Sequence, residues 1–141
     1  MRKQLFSAVS VLLCLAVLCA APAQAAQPLA DDQIRSYTSV LTKDSDGNLS
    51  IYFSIRTNTA MDKLGAARVL VQYYNGSTWF TEYVFTLQNT PELRGTDTDY
   101  YFLWLSHTPW NPGETYRAVV EFSAVLNGYS SGATGITNTV T

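Results

Sequence analysis

Few groups in this chain can move a proton or hold an ion, so their spacing decides how much chemistry is available. The chain has one histidine, His107, in the run Ser106-His107-Thr108-Pro109. Ser106, His107 and Asp99 supply the residue types of nucleophilic catalysis, but they flank no recognisable cleft, and a histidine beside a proline-containing loop is expected to be exposed. Glu82 and Glu121 are the carboxylates to test as a general acid and base. Both fall within β-prone runs at positions that alternate outward, where a solvated glutamate or a pair with Arg68 or Arg117 is expected. No catalytic residue is assigned.

Metal and cofactor chemistry is equally short of groups. The two cysteines, Cys14 and Cys19, lie in the N-terminal apolar run, so with one histidine the rest of the chain lacks the usual composition of a zinc site. Asp44, Asp46 and Asn48 alternate as hard oxygen ligands would. Calcium takes about six to eight oxygens, including a bidentate carboxylate further on, and no glutamate stands at the twelfth position of this loop. The segment Lys43-Asp44-Ser45-Asp46-Gly47-Asn48 is therefore read as a hairpin turn. No cofactor is expected.

Aromatic content is the more informative feature. Three Trp, nine Tyr and six Phe make up 13% of the chain, more than one core of this size is expected to enclose. Tyr52, Tyr74, Trp104 and Tyr129 fall where rings face outward or line a loop end, and they are the candidate contacts for a ligand or partner. Exposed rings stack on sugar C–H faces or anchor protein interfaces.

Met1-Arg2-Lys3, an apolar run from Leu5 to Ala20, and Ala21-Pro22-Ala23-Gln24-Ala25-Ala26 are the three parts of a secretory signal peptide, with cleavage expected after Ala25. The run is about 16 residues, shorter than the roughly 20 that span a bilayer as a helix. Residues 1–25 are thus a leader, 26–32 a loose arm and 33–141 a β-sandwich domain, secreted and without a membrane span after cleavage. Without Arg2 and Lys3 the 9 basic residues become 7 against 11 acidic, about −4. An acidic domain gains nothing from phosphate backbones, which argues against nucleic acid and leaves an unknown protein or glycan as the partner.

Periodicity and turn residues then lay out the domain. Strands are expected over Ile34–Leu41, Leu49–Arg56, Ala67–Tyr74, Thr78–Leu87, Asp97–Ser106, the stretch leading to Ala124, and Thr134–Thr141. Asn75-Gly76-Ser77 marks a hairpin. Thr57–Ala66, with Met61-Asp62-Lys63-Leu64-Gly65 at its centre, is expected to be a helical turn or tight loop in which Gly65 reverses the chain. The longest alternation runs through Tyr116, Ala118, Val120, Phe122 and Ala124, all on one core face. Seven antiparallel strands describe an all-β sandwich.

The run from Trp110 through Pro112, Glu114 and Tyr116 to Ala124, with Asn127-Gly128 and the tail Ile136–Thr141, resembles the last third of a fibronectin type III or Ig-like sandwich. Trp110 takes the place of that family's leucine, Pro112 of its proline and Tyr116 of its tyrosine. The resemblance implies that Tyr116 forms a tyrosine corner, its ring in the core and its hydroxyl bonded to upstream backbone. Arg68 to Tyr74 followed by Trp79 looks like the third-strand region, and Phe53 stands where the family usually has a core tryptophan. The chain is also similar to small exported proteins of Gram-positive gut bacteria, through Met61 to Gly65 and Tyr116 to Ala118. That likeness implies export and fold and carries no activity. The expectation is a secreted, non-catalytic binding module, or else an envelope-associated structural protein or a carbohydrate-binding module with coplanar exposed rings.

Overall fold

Asp-Gly and Asn-Gly turns bracket most of the strands seen in the computed structural model, which describes residues 33–141. The expected leader and arm lie outside the described residues. Six antiparallel strands follow in chain order: β1 (Ile34–Lys43), β2 (Leu49–Tyr74), β3 (Trp79–Thr86), β4 (Arg94–His107), β5 (Thr115–Leu126) and β6 (Tyr129–Ile136). A 3-10 turn over Pro91–Leu93 leads into β4. Among the described residues no helix is long and apolar enough to cross a membrane.

The count is six rather than seven because β2 is one strand of 26 residues where two strands and a loop are expected. Its first half, Leu49 to Arg56, pairs with β1 on one side and with β4 on the other. Its second half, Arg68 to Tyr74, lies between β3 and β5. The linking residues are not a loop, since Lys63 to Gly65 pair with both β4 and β5. Backbone groups there are satisfied by ladder bonds, and that outweighs the absence of apolar alternation. Register shifts between Arg56 and Met61 and between Ala66 and Arg68 absorb the mismatch. Gly65 does not reverse the chain. It takes φ +154 and lets β2 press on the β4 entry, where an added Cβ would lie 2.1 Å from the Leu93 carbonyl oxygen.

Sharing one long strand among four partners curls the sheet into a half-barrel. Its concave side holds Ile51, Phe53, Ile55, Leu64, Val69, Val71 and, from β5, Tyr116, Ala118, Val120, Phe122 and Ala124, all buried. The expected core stripe of β5 is thus the observed one. Across the curl, Phe53 and Phe122 meet edge to face at 6.0 Å, and Tyr37 of β1 lies 4.9 Å from Phe122. Asn138, beyond β6, closes the gap by donating to the Leu41 carbonyl (2.8 Å) and accepting from its N–H (2.9 Å). One amide side chain thereby occupies a stretch of the β1 edge that would otherwise offer unpaired groups.

The tail of the chain also differs from expectation. Asn127-Gly128 is the whole β5–β6 connection, so the last strand is Tyr129–Ile136 and Tyr129 pairs with Leu126. Beyond β6 the tail stays against β5 through a hydrogen bond from the Thr137 N–H to the Ala118 carbonyl and an isolated bridge from Val140 to Tyr116. The Asn75 hairpin is as the residues predict: Gly76 has φ +91, and the Asn75 side chain accepts from the N–H groups of Ser77 and Thr78.

Candidate functional site

Strand alternation puts every second residue of β1, the first half of β2, and β4 on the convex side. Register aligns them into rows: Val40, Tyr52 and Trp104; Thr38, Ser54 and Phe102; Ser36, Arg56 and Tyr100. Trp104 is 60% exposed and Phe102 52%, with Val40 and Tyr100 also exposed. The Tyr52 and Trp104 rings lie 4.8 Å apart at 45°, and Tyr100 and Phe102 5.9 Å apart at 33°. The Arg56 guanidinium sits 4.7 Å from the Tyr100 ring centroid. Cross-strand ring contacts of this kind hold side chains in fixed rotamers, which lowers the entropy lost when a partner binds.

The four candidate contacts do not form one cluster. Tyr52 and Trp104 are neighbours, and with them come Phe102, Tyr100 and Arg56, which the residue pattern alone does not single out. Their outward alternation with Tyr101, Leu103 and Leu105 was the available signal. Tyr74 lies on the convex side of the other half of β2, 5.3 Å from Trp79, whose ring also carries the Arg117 guanidinium at 4.1 Å. Tyr129 stands exposed at the start of β6.

A second cluster is buried. Glu82 is the extra residue of a β-bulge, since Tyr83 pairs with Val71 and Thr81 with Gln72. The bulge turns its side chain inward, contrary to the outward position that alternation predicts. There its carboxylate accepts from the Tyr116 hydroxyl (2.6 Å), the Trp110 backbone N–H (2.5 Å) and His107 Nε2 (3.0 Å). An ionised carboxylate can only accept, so Nε2 is the protonated ring nitrogen. His107 ends β4 on its concave side and stacks on Tyr83 at 5.2 Å. It is buried, not an exposed loop residue.

The same network contains the tyrosine the resemblance singles out. Tyr116 is buried, and its hydroxyl accepts from the Asn111 N–H at 3.1 Å. Burial and the Glu82 hydrogen bond push its pKa up to about 12. Burial also pushes Glu82 up, but the hydrogen bonds from Tyr116, the Trp110 backbone and His107 outweigh it, and the carboxyl is held below its ordinary value. Trp110 contributes its backbone N–H; its ring is 65% exposed. Pro112 is exposed in the β4–β5 turn.

Among the described residues, the candidate Ser/His/Asp set and the candidate glutamate pair are not brought together. Ser106 points outward while His107 points inward, and Asp99 lies eight residues up the strand, about 26 Å away. Glu121 is on the convex side, paired with Arg68 at 2.6 Å, opposite in facing to Glu82. Gly128-Tyr129-Ser130-Ser131-Gly132 does match the formal spacing Gly-x-Ser-x-Gly, but it forms a hairpin and the next strand, not the strand-to-helix elbow that spacing serves. Asp44 spends one carboxylate oxygen on the N–H groups of Asp46 and Asn48 in its own turn, and the Asn48 N–H holds its pKa down. Among the described residues no group of three His, Cys, Asp or Glu side chains could hold a metal ion. Comparison with protein-family models, curated proteins and solved structures gives no match to this chain.

Proposed function

We propose that this protein is an exported, non-catalytic binding module that contacts a protein partner through the convex face of β1, the first half of β2, and β4. The observation that carries the reading is the contiguous group of exposed Val40, Tyr100, Phe102 and Trp104, with the half-buried Tyr52 against Trp104 and Arg56 at its margin. Trp, Tyr and Arg are the side chains that dominate binding energy at protein interfaces. Export rests on the leader pattern of residues 1–26. In this reading the two halves of the curl act as the layers of an Ig-like or fibronectin type III-like sandwich.

A carbohydrate-binding module is the second reading, and ring geometry weighs against it. Sugar platforms favour rings in one plane, whereas these pairs are tilted by 45° and 33°. A photoreactive phenylalanine analogue at Phe102, with a control at the exposed Thr134, tests the assignment in cells that produce the protein. A discrete adduct from position 102 that disappears with Trp104→Ala supports it. Adducts of equal yield from both positions, or none, remove it. Saturable binding on a glycan array, lost with Trp104→Ala, would replace it with the sugar reading.

A further inference from the structure

Where β2 presses on the entry to β4, a pocket of about 300 Å³ opens between Lys63, Leu87, Pro91, Arg94, Gly95 and Thr96. Register brings its polar groups together, because Thr96 pairs with Lys63 and Arg94 with Gly65. Two cations and a hydroxyl line it, and no carboxylate does. Neither Lys63 nor Arg94 makes an ion pair among the described residues. Arg94 Nε is the one buried side-chain nitrogen or oxygen among them without a hydrogen-bond partner. A buried charged donor left unpaired is costly, and a bound ion is one of the ways a native fold meets that cost.

The frame around this donor is fixed. A Cβ at Gly95 would fall 2.5 Å from the Tyr101 ring, and the Tyr101 hydroxyl donates to the Glu92 carbonyl, tying β4 to the Pro91–Leu93 turn. Gly65 holds the other side against the Leu93 carbonyl. We infer that this pocket binds the oxyanion of a small organic acid, with Arg94 and Lys63 as the anion contacts and Thr96 as a further donor. Leu87 and Pro91 offer an apolar wall to the body that carries the anion. The volume is at the lower end of small-molecule sites, suited to a body of about one sugar ring. This pocket is separate from the proposed partner face and does not depend on that reading.

The test is an NMR titration of the domain followed at the Arg94 Nε–Hε resonance, with glucuronate, glucose 6-phosphate and glucose 6-sulfate as probes and glucose as the neutral control. A saturable shift with at least one acidic sugar and none with glucose is expected, and the probe that binds tells a carboxylate from a tetrahedral anion. Lys63→Gln is expected to weaken binding about tenfold, the effect of losing one charged hydrogen bond. Arg94→Gln, followed at the Thr96 amide, is expected to abolish it. Absence of a saturable shift up to about 10 mM, tenfold above a dissociation constant of about 1 mM, would overturn the inference. So would an equal response to glucose, or an unchanged response in Lys63→Gln, whose exposed side chain can be altered without unfolding the domain.

Discussion

Two parts of β4 use similar residues to opposite ends. The rings of Tyr100, Phe102 and Trp104 stand on the convex side, exposed and touching one another, Tyr52 and Arg56. Three residues later His107 points the other way, into a buried network with Glu82 and Tyr116. On the convex side, removing a ring exposes its neighbours to water, which costs little. In the buried network, removing one member leaves charged or polar groups without their partners, at a cost far above that of a surface contact. Residue type therefore does not set the role of a side chain here; the face of the curl does, and at Glu82 a single bulge residue sets the face.

The contrast is broken most severely by Glu82→Ala. It strands the Tyr116 hydroxyl, the Trp110 N–H and His107 at once, and a loss of about 3 kcal/mol in urea unfolding is expected, typical of removing one partner from a buried charged set. The same carboxylate makes stability depend on acid. Its folded pKa lies below its unfolded value of 4.5, so its contribution is present above about pH 4.5 and is lost as pH falls through the lower folded value. Tyr116 acts at the other end. With its pKa raised from 10.0 to about 12, its contribution is complete below pH 10 and is lost between pH 10 and 12. Unfolding midpoints measured across both ranges check the two limbs, and Glu82→Ala should flatten the acid one.

Smaller effects sharpen the comparison. Tyr116→Phe keeps the ring and removes only the hydroxyl that donates to Glu82 and accepts from Asn111. A loss of about 1.5 kcal/mol is expected, in the range of a hydrogen bond to a charged group. Glu121→Gln on the convex side breaks the ion pair with Arg68, both partners being partly exposed. Its cost should stay below about 0.5 kcal/mol and shrink further in high salt.

Much of the fold was legible because local signals agreed with it. The alternation of Leu49, Ile51, Phe53 and Ile55, that of β5, and the Asn75-Gly76 hairpin all match the structure. The run through Thr57–Ala66 did not announce a strand, because its extension comes from ladder bonds to β4 and β5 that are distant in sequence. Glu82 was hidden for a related reason: a bulge reverses the facing of side chains, and alternation cannot place a bulge without the partner strand. Of the candidate contacts, Tyr52 and Trp104 could be named, but not that β4 would set them side by side. The Lys63 and Arg94 pocket was invisible, since it depends on that pairing and on the Leu93 carbonyl reaching Gly65.

The most direct measurement is the urea unfolding free energy of a Phe102→Ser, Trp104→Ala double variant beside that of Glu82→Ala. If the convex rings are held for contact with a partner and the buried network for the fold, the double variant stays within about 1 kcal/mol of the parent, as exposed positions do, while Glu82→Ala falls well below both. A double variant as unstable as Glu82→Ala would contradict the account, because those rings would then belong to the structure that holds the sheet together.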